Sequence, residues 1–317
     1  MSAALVAMSH SPLLGIAPLP ADIETELTDA IDNARQFATA FEPDLVVLFH
    51  PDHYNGFFYD VMPSFCIGTS AIAIGDFGTA AGPLNVTSVL AADLASAVLA
   101  AEIDVAVSHA MRVDHGAAQP LETLFGAIDA VPVVPIFINC IAPPFCPITR
   151  VRALGHAVGA HVAGLGQRVL FVASGGLSHD PPVPQLDGAD ETARANLLGA
   201  GRYLTADARA ARQQRVIDGA AAFARGEANI QPLAPSWDQE LMTILASGEL
   251  APLDAWTADD IARLAGNSAH EVRHTWIAAH AALRAVAPYT TAISYYRAIP
   301  ELIAGFGIAC STITTRG

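Results

Sequence analysis

Short apolar runs alternate with stretches of helical spacing through the first 180 residues, and this alternation limits the folds open to the chain. The apolar runs are Ala3–Met8, Asp44–Phe49, Asp104–Ser108, Val131–Ile138 and Arg168–Ala173. The helical stretches are Ala21–Phe41, Ser88–Ala101, Leu121–Ile128 and Thr149–Leu165. Strands joined through helices need crossover connections, which build parallel sheets buried on both faces. We therefore predict an α/β fold with a largely parallel central sheet flanked by helices.

The pattern changes after residue 180, where helical spacing dominates. Helical stretches are predicted at Glu191–Tyr203, Ala206–Arg225, Gln239–Ser247, Ala258–Ala265 and His270–Val286, with a late strand at Thr291–Tyr296. The C-terminal portion is therefore expected to be rich in helices. No internal repeat or low-complexity linker interrupts the chain, which predicts a single catalytic domain over residues 1–317. A subdomain seam is placed near residues 230–237 (IQPLAPSW).

Composition excludes several classes of function. The chain has 317 residues and a net charge of −15 without a basic run, so a nucleic-acid partner is not expected. Its 16 basic residues are all arginine. Without lysine there is no Schiff-base chemistry of the pyridoxal phosphate kind and no GxxxxGK[ST] phosphate loop.

Cysteine spacing and hydropathy indicate a cytoplasmic protein. The 4 cysteines lack CxxC spacing, which argues against a cysteine zinc site and agrees with reduced thiols. The N-terminal segment has no basic region of the kind that precedes a signal peptide. The longest apolar stretch, VPVVPIFINCIAPPF, is broken by prolines, so no membrane partner is expected.

Four histidines lie in short turns rich in glycine, proline and aspartate. His10, His53 and His179 each follow a predicted buried strand, and His115 occurs in the turn VDHGAAQP. Loops at the carboxyl ends of parallel strands carry the chemistry of open α/β sheets. The four side chains are therefore expected to share one pocket that binds a metal, transfers protons, or does both.

Two of these histidines, with a carboxylate, would complete a common metal site. Two imidazoles and one carboxylate that leave open positions form the facial triad of non-haem Fe(II) enzymes. His10 and His53 are the candidate imidazoles, and Glu271 is a candidate carboxylate early in a predicted helix. Glu240 and Asp238 are alternative carboxylates, although helix capping accounts for Asp238.

The segment around Glu271 also allows a different interpretation. Residues 270–274 spell H-E-x-x-H, the helical signature of zinc peptidases, and His280 stands where a third zinc ligand would be. Ile277 replaces the glycine that lets the chain turn back to the metal in the extended motif. The stretch instead has the spacing of an unbroken helix, so a zinc peptidase is the weaker alternative.

Several segments together resemble one known family. They are SHSPLLG, FHPDHYNGFFYDVMPSFCIG, AIGDFGTAAG, VDHGAAQPLE, VLFVASGGLSHDPPVP, RQQRVI, the stretch ending in HE at Glu271, and YYRAIPELIAGFG. They cover nearly the whole chain in order, and through them the chain resembles the class III extradiol ring-cleavage dioxygenases, the LigB-type superfamily.

The resemblance implies a reaction and a set of site residues. The implied enzyme cleaves a carboxyalkyl catechol with O2 at a mononuclear Fe(II) bound by His10, His53 and Glu271. The resemblance implies His115 and His179 as an acid–base pair, and our assignment is His179 as base and His115 as acid. The alternative within the same scaffold is another catechol, such as protocatechuate. A homo-oligomer in cytosolic aromatic degradation is also implied.

A carboxylate tail on such a substrate needs a donor partner. Because the chain lacks lysine, that partner must be an arginine, a histidine or backbone N–H groups. Arg297 and Arg273 are named as candidates from the sequence.

Overall fold

A computed structural model describes residues 2–314, except for the side chains of residues 272 and 273. The strands are β1 Ser2–Met8, β2 Leu45–His50, β3 Phe65–Gly68, β4 Ala71–Ile74, β5 Ala81–Pro83, β6 Ala106–Ser108, β7 Met111–Val113, β8 Val133–Ile138, β9 Arg168–Ser174, β10 Tyr289–Ile299 and β11 Ala304–Ile313. The α-helices are α1 Ala21–Phe41, α2 Ser88–Ala100, α3 His115–Phe125, α4 Ile148–Val162, α5 Glu191–Leu197, α6 Ala206–Ala224, α7 Pro235–Ser247, α8 Ala258–Ala265 and α9 His270–Val286.

An eight-stranded sheet runs through the described part of the chain in the order β10-β11-β1-β9-β2-β8-β3-β6. The neighbours β1, β9, β2 and β8 at its centre are parallel. Antiparallel pairing joins β10 to β11, β11 to β1, and β3 to β8. The predicted α/β fold with a largely parallel central sheet is confirmed.

Both faces of the central sheet are buried, which explains why its strands are continuous apolar runs. Leu5 and Phe171 point into one hydrophobic cluster, whereas the next residues along the same strands, Val6 and Val172, point into another. Successive side chains of a strand face opposite sides, so a layer of helices must cover each side. The sequence pattern and the layered packing therefore have the same physical cause.

The strand order brings three distant loops to one edge of the sheet. Met8 at the end of β1 pairs with Ser174 at the end of β9, and Phe49 of β2 pairs with Ala173 of β9. Because these strands are parallel neighbours, the segments that follow them leave from the same edge. Those segments carry the predicted site histidines.

The C-terminal hairpin is larger than the sequence predicts. The late strand extends over Tyr289–Ile299, and a second strand, Ala304–Ile313, was not predicted. A 3₁₀ turn at Pro300–Leu302 joins the two. The second strand inserts between the first and β1, and its small residues (AGFGIACS) match the helical and strand periods poorly. Its pairing with β1, close to 300 residues away in sequence, leaves no local signal.

A second sheet of β5, β4 and β7 was also missed by the sequence analysis. Its strands are only three or four residues long, too short for a periodic pattern. Beyond β4 comes the turn that carries Asp76, and beyond β7 come Asp114 and His115. This small sheet therefore brings Asp76 next to His115.

Four of the helices described above depart from their predicted bounds by more than one residue. Helix α4 ends at Val162 instead of Leu165, and α7 begins at Pro235 instead of Gln239. The other two are α3 and α5. The helix predicted near residues 121–128 begins at His115, because the Asp114 side chain caps it and accepts the Gly116 N–H at 2.9 Å. His115 thus lies in the first turn of a helix and not in an open turn. The helix predicted over Glu191–Tyr203 stops at Leu197, where Gly199, at φ 114°, breaks it.

Helix α9 crosses α4 at very close range, and two glycines make the crossing possible. A Cβ built on Gly155 would lie 2.1 Å from the carbonyl oxygen of Ala278. A Cβ on Gly159 would lie 2.1 Å from that of Ala282. Any side chain at either glycine would push the helices apart. This contact fixes the helix whose first turn contains Glu271.

The predicted seam lies between α6 and α7. Trp237 there is buried against Trp256, with ring centroids 5.4 Å apart, and the Ala234 N–H is bonded to Ser178 Oγ. The single catalytic domain remains a prediction. None of the helices in the described part of the chain is long and apolar enough to cross a membrane.

Candidate active site and metal centre

Four histidines from distant parts of the chain lie together beyond the carboxyl edge of the central sheet. The ring centroids of His10 and His53, and of His10 and His115, are 5.3 Å apart. The rings of His53 and His115 stack at 4.4 Å. His179 approaches the same group, with its Nε2 3.5 Å from Oε1 of Glu271. All four histidines line one cavity.

Glu271 lies at the base of this group and is completely buried. Its Oε1 lies 3.1 Å from Nε2 of His53, and its Oε2 lies 3.5 Å from Nε2 of His10. The backbone N–H of Gly176 donates to Oε2 at 3.2 Å. The residues predicted as metal ligands are therefore within reach of one another.

The other ring nitrogens of the two histidines are held by polar groups. Nδ1 of His10 lies 2.9 Å from Oγ of Ser174, at the end of β9. Nδ1 of His53 lies 3.0 Å from Oδ2 of Asp114, which also accepts the His53 backbone N–H at 2.8 Å. Asn55 donates to the same oxygen at 2.9 Å. With Nδ1 engaged, Nε2 of each ring is directed toward Glu271, as in metal sites whose ligands are oriented by outer contacts.

Two opposing effects set the pKa values of these side chains: burial disfavours the charged forms, and close ion pairing favours them. Burial lowers the pKa of His10 to about 3, so this imidazole is neutral. Burial also disfavours charge on His53, but the carboxylates of Asp114 and Glu271 raise its pKa well above the usual value. Burial would raise the pKa of Glu271, yet His179, His10 and His53 hold it well below the ordinary range. Glu271 is therefore an ionised carboxylate at neutral pH.

This donor set suits a divalent metal. Imidazole nitrogens and one carboxylate are ligands for borderline metal ions such as Fe(II), and binding of such an ion would displace the proton of His53. The buried charge of Glu271 faces only imidazoles and a backbone amide in the contacts of the described residues, so a cation between them would offset its desolvation. The ring nitrogens of His10, His53 and His115 also lie within 4.8 Å of one another, which makes His115 a competing third donor.

His115 has a carboxylate partner that the sequence analysis did not identify. Asp76 accepts the His115 backbone N–H at 2.8 Å, and its Oδ2 lies 2.6 Å from Nδ1. Nε2 of His115 has no hydrogen-bond partner in the described part of the protein, although the atom is buried. Asp76 occurs in the segment AIGDFGTAAG, but nothing in the local pattern pairs it with a residue 39 positions later. Asp114, adjacent to His115 in sequence, contacts His53 instead.

The loop that carries His179 is held by a second buried carboxylate. Asp238 accepts the Ser178 backbone N–H and its hydroxyl, both at 2.7 Å, and the Tyr296 hydroxyl at 2.7 Å. Nδ1 of His179 lies 2.9 Å from the Leu177 carbonyl oxygen. The interpretation of Asp238 as a helix cap was wrong, because α7 begins at Pro235 and places this side chain under the His179 loop.

Gly175 and Gly176 permit the close approach of this loop to neighbouring site residues. A Cβ on Gly175 would lie 3.0 Å from Cβ of Glu271, and a Cβ on Gly176 would lie 2.7 Å from the His179 ring. The glycines thus let the backbone contact site residues directly.

The histidines open into a cavity of about 880 Å³, which is large enough for a substituted catechol. Apolar residues from the loop after His179, from α6 and from the turn at 302–304 form much of its wall. Arg209, Arg212 and Arg215 of α6 also line it. Arg297, named from the sequence, does not line the cavity, and its guanidinium contacts Glu26 and Asp22 on α1. The side chain of Arg273 lies outside the described residues.

The H-E-x-x-H segment does not form a zinc site of the peptidase kind. It begins the unbroken helix α9, on which Nδ1 of His274 contacts the carbonyl oxygen of His270 at 2.7 Å. Nδ1 of His280 contacts the Trp276 carbonyl oxygen at 2.8 Å. Among the described side chains, no group of possible metal ligands includes any of these three histidines. Glu271 faces His10 and His53 instead.

Comparisons with known proteins agree with this geometry. The family model described as the catalytic LigB subunit of aromatic ring-opening dioxygenase matches residues 4–307. The chain belongs to this family. It is therefore an aromatic ring-opening dioxygenase of the extradiol type, as its resemblance to the class III enzymes implied, and this membership implies a bound metal.

Named relatives extend over the whole chain. Proteins described as 2,3-dihydroxyphenylpropionate/2,3-dihydroxicinnamic acid 1,2-dioxygenase are 54% identical in Mycolicibacterium vanbaalenii and 55% identical in Mycolicibacterium gilvum, with 98% of each chain covered. One in Rhodococcus globerulus is 50% identical, with 99% of each chain covered. The crystal structure of an uncharacterized protein from Escherichia coli K12 superposes with a TM-score of 0.52 at 15% identity, over 98% of this chain and 99% of that one. At that identity the superposition shows a shared fold alone.

Proposed function

We propose that this dioxygenase opens the ring of 2,3-dihydroxyphenylpropionate, and of 2,3-dihydroxycinnamate, by extradiol cleavage. The product is 2-hydroxy-6-oxonona-2,4-dienedioate, in which both atoms of O2 are incorporated and the propionate tail is intact. The identity of 50% or more to relatives named for this substrate supports the choice of catechol. The observation that carries the reaction type is the close approach of Glu271 to His10 and His53, two of the histidines that line the cavity.

The metal in this proposal is Fe(II), held by Nε2 of His10, Nε2 of His53 and the carboxylate of Glu271. Two imidazoles and one carboxylate leave open positions for a chelating diol and for O2, and Fe(II) supplies the redox chemistry that lets O2 react with a catechol. Glu271 is preferred to His115 as the third ligand because its ionised carboxylate offsets the charge of a buried dication.

His179 is assigned as the base that receives a proton from the bound catechol. With a proton on Nδ1 donated to the Leu177 carbonyl oxygen, the neutral ring has its lone pair on Nε2. Burial disfavours the imidazolium, but the nearby Glu271 carboxylate raises the pKa of His179. The ring can therefore accept a proton and retain it during turnover.

His115 is assigned as the acid on the opposite side of the bound diol. Its Nδ1 is held by Asp76, and its Nε2 is free within the described residues to donate into the cavity. The Asp76 carboxylate offsets the charge of an imidazolium, which is the form a proton donor needs. The stacking of the His115 ring on His53 at 4.4 Å keeps the donor beside the metal ligands.

The wider assignment rests on resemblance to the family. We infer that residues 1–317 act as one catalytic domain, and that the enzyme works as a cytoplasmic homo-oligomer in the breakdown of aromatic compounds. Sedimentation or light scattering of the purified protein would test the oligomer.

One assay tests the proposed function. Protein prepared without oxygen is loaded with Fe(II), mixed with 2,3-dihydroxyphenylpropionate and then exposed to air. A yellow ring-opened product with both atoms of isotope-labelled O2 is expected. If the enzyme cleaved protocatechuate but not 2,3-dihydroxyphenylpropionate, the proposed substrate would be wrong and the proposed reaction type would still hold. Peptide hydrolysis with Zn²⁺ and no ring opening would contradict the proposal.

A further inference from the structure

One wall of the active-site cavity carries three arginines from a single helix. Arg209, Arg212 and Arg215 are spaced by three residues on α6, and all three line the same cavity as the four histidines. Residues three apart lie near one another on a helix surface. We call this set the arginine face.

No acidic side chain contacts the arginine face directly within the described part of the protein, although the charges of Asp114, Asp52 and Asp76 act on Arg212 from beyond ion-pair distance. None of its guanidinium groups forms an ion pair there, whereas Arg202 pairs with Asp60 and Arg225 with Glu227. The acidic side chains among the cavity-lining residues are engaged elsewhere. Asp76 is bonded to His115, and Asp190 caps α5 by accepting the Ala193 N–H at 2.7 Å.

Arg212 is held close to the proposed metal ligands. Its guanidinium donates from Nη2 to the His53 carbonyl oxygen and from Nη1 to the Tyr54 carbonyl oxygen, the latter at 3.3 Å. Burial lowers the pKa of Arg212, which reflects the cost of keeping a cation away from water. A guanidinium has five N–H donors, so these two contacts leave others for an anion.

Arg209 extends the same positive surface. Its Nη1 contacts Oδ1 of Asn55 at 3.5 Å, and Asn55 in turn donates to Asp114. The loop that contains His53 therefore has the proposed metal on its imidazole side and the arginine face on its backbone side. His53 and the arginine face line the same cavity, so a ligand chelated at the metal shares that cavity with the arginine face.

We propose that Arg212 and Arg209 bind the carboxylate of the substrate tail and so set the preference of the enzyme for carboxyalkyl catechols. This inference rests on the proposed ring-cleavage function, and it adds the residues that recognise the tail. Guanidinium groups bind carboxylates through paired hydrogen bonds, and the partial burial of Arg212 strengthens such a contact. Arg215, the most exposed of the three, also lines the cavity and adds positive charge there.

The test compares two catechols that differ in the carboxylate. Fe(II)-loaded wild type, Arg209→Met and Arg212→Met are assayed with 2,3-dihydroxyphenylpropionate and with 3-propylcatechol. Anaerobic binding of both compounds is measured beside turnover. Loss of a charge-assisted contact should weaken kcat/KM and binding for the propionate compound by about 10- to 100-fold more than for 3-propylcatechol. Arg212→Lys should recover part of the difference.

Arg225→Met is the matched control, because Arg225 lies at the end of the same helix and pairs with Glu227 outside the cavity. It should leave the preference unchanged. Arg212→Met removes the donor to the carbonyl groups of His53 and Tyr54, so this variant could fail to fold or lose iron. In that case the comparison of the two catechols is made with Arg209→Met alone.

The outcomes separate this inference from the proposed function. The assignment of the arginine face would be overturned if Arg209→Met and Arg212→Met lost kcat/KM equally on both catechols, or on neither. The proposed ring cleavage would still hold. A wild-type enzyme without preference for the propionate compound would also overturn it. A wild-type enzyme that cleaves neither catechol would overturn the proposed function, and this inference with it.

Discussion

The carboxylate of Asp76 holds His115 by two hydrogen bonds, one from the backbone N–H at 2.8 Å and one from Nδ1 at 2.6 Å. A single carboxylate thus fixes both the start of α3 and the orientation of the ring. The arrangement repeats at His53, whose backbone N–H and Nδ1 both contact Asp114. Each pair directs Nε2 of its histidine into the site, and this common construction leads to the first prediction.

Asp76→Asn should slow turnover without removing the metal. The amide cannot offset an imidazolium charge at His115, so kcat is expected to fall by about 10- to 100-fold, less than on removal of the acid itself. Steady-state kinetics with 2,3-dihydroxyphenylpropionate, together with iron content, would measure this. Asp76→Glu, which keeps the charge, should recover part of the rate. Loss of iron in step with activity would show instead that Asp76 supports the metal site.

His53→Ala and His115→Ala should separate metal binding from proton transfer. His53→Ala removes a proposed ligand and is expected to lose iron and activity together. His115→Ala removes the proposed acid, so it should retain iron and lose turnover by about 10²- to 10⁴-fold. Iron content and steady-state kinetics of both purified variants would distinguish loss of the metal from loss of proton transfer. Normal rates in His115→Ala, or loss of its iron, would contradict the assigned role.

Glu271→Gln tests the carboxylate ligand against its neighbours on the same helix. The neutral amide cannot balance a buried dication, so iron affinity should drop by about 10-fold or more. His274→Ala is the matched control, since His274 contacts the His270 carbonyl oxygen and should keep full iron content per folded chain. Iron titrations followed by a chelator competition would compare the two. A zinc-peptidase site would show the reverse, with His274 essential for the metal.

Gly155→Ala tests whether the contact between α4 and α9 supports the site. Its new Cβ would meet the Ala278 carbonyl oxygen at 2.1 Å, so the helices must separate. The free energy of unfolding should fall by about 1–3 kcal/mol, as in other overpacked cores, measured by denaturant unfolding. Gly164→Ala is the control, because its Cβ would meet the nearest atom, the His161 carbonyl oxygen, at an ordinary 3.5 Å. Equal stability of both variants would contradict the proposed role of the crossing.

Much of the central fold could be predicted because its signals are local. The runs ending at Met8, Phe49 and Ala173 are apolar on both faces, which only buried strands explain, and helices α1, α2, α6, α8 and α9 were predicted within about one residue of their observed ends. Parallel strands end at one edge, so the placement of His10, His53 and His179 followed from the pattern. The short strands β3, β4, β5 and β7 were not predicted because three or four residues are too few for a periodic pattern, and β11 was not predicted because its small residues fit neither period.

The sequence by itself identified the four histidines and Glu271 as candidate site residues, and it placed three of the histidines directly after buried strands. Only the tertiary structure decided which carboxylate each of them contacts. Glu271 was one of several candidates until α9 packed against α4 and placed it below His10 and His53. Asp76 and the arginine face had no predicted role, and Asp238 was wrongly interpreted as a helix cap, because their partners lie 39, more than 150 and 60 residues away, respectively. Hydrophobic periodicity is a property of neighbouring residues, whereas ion pairs and hydrogen bonds between loops exist only once the chain has packed.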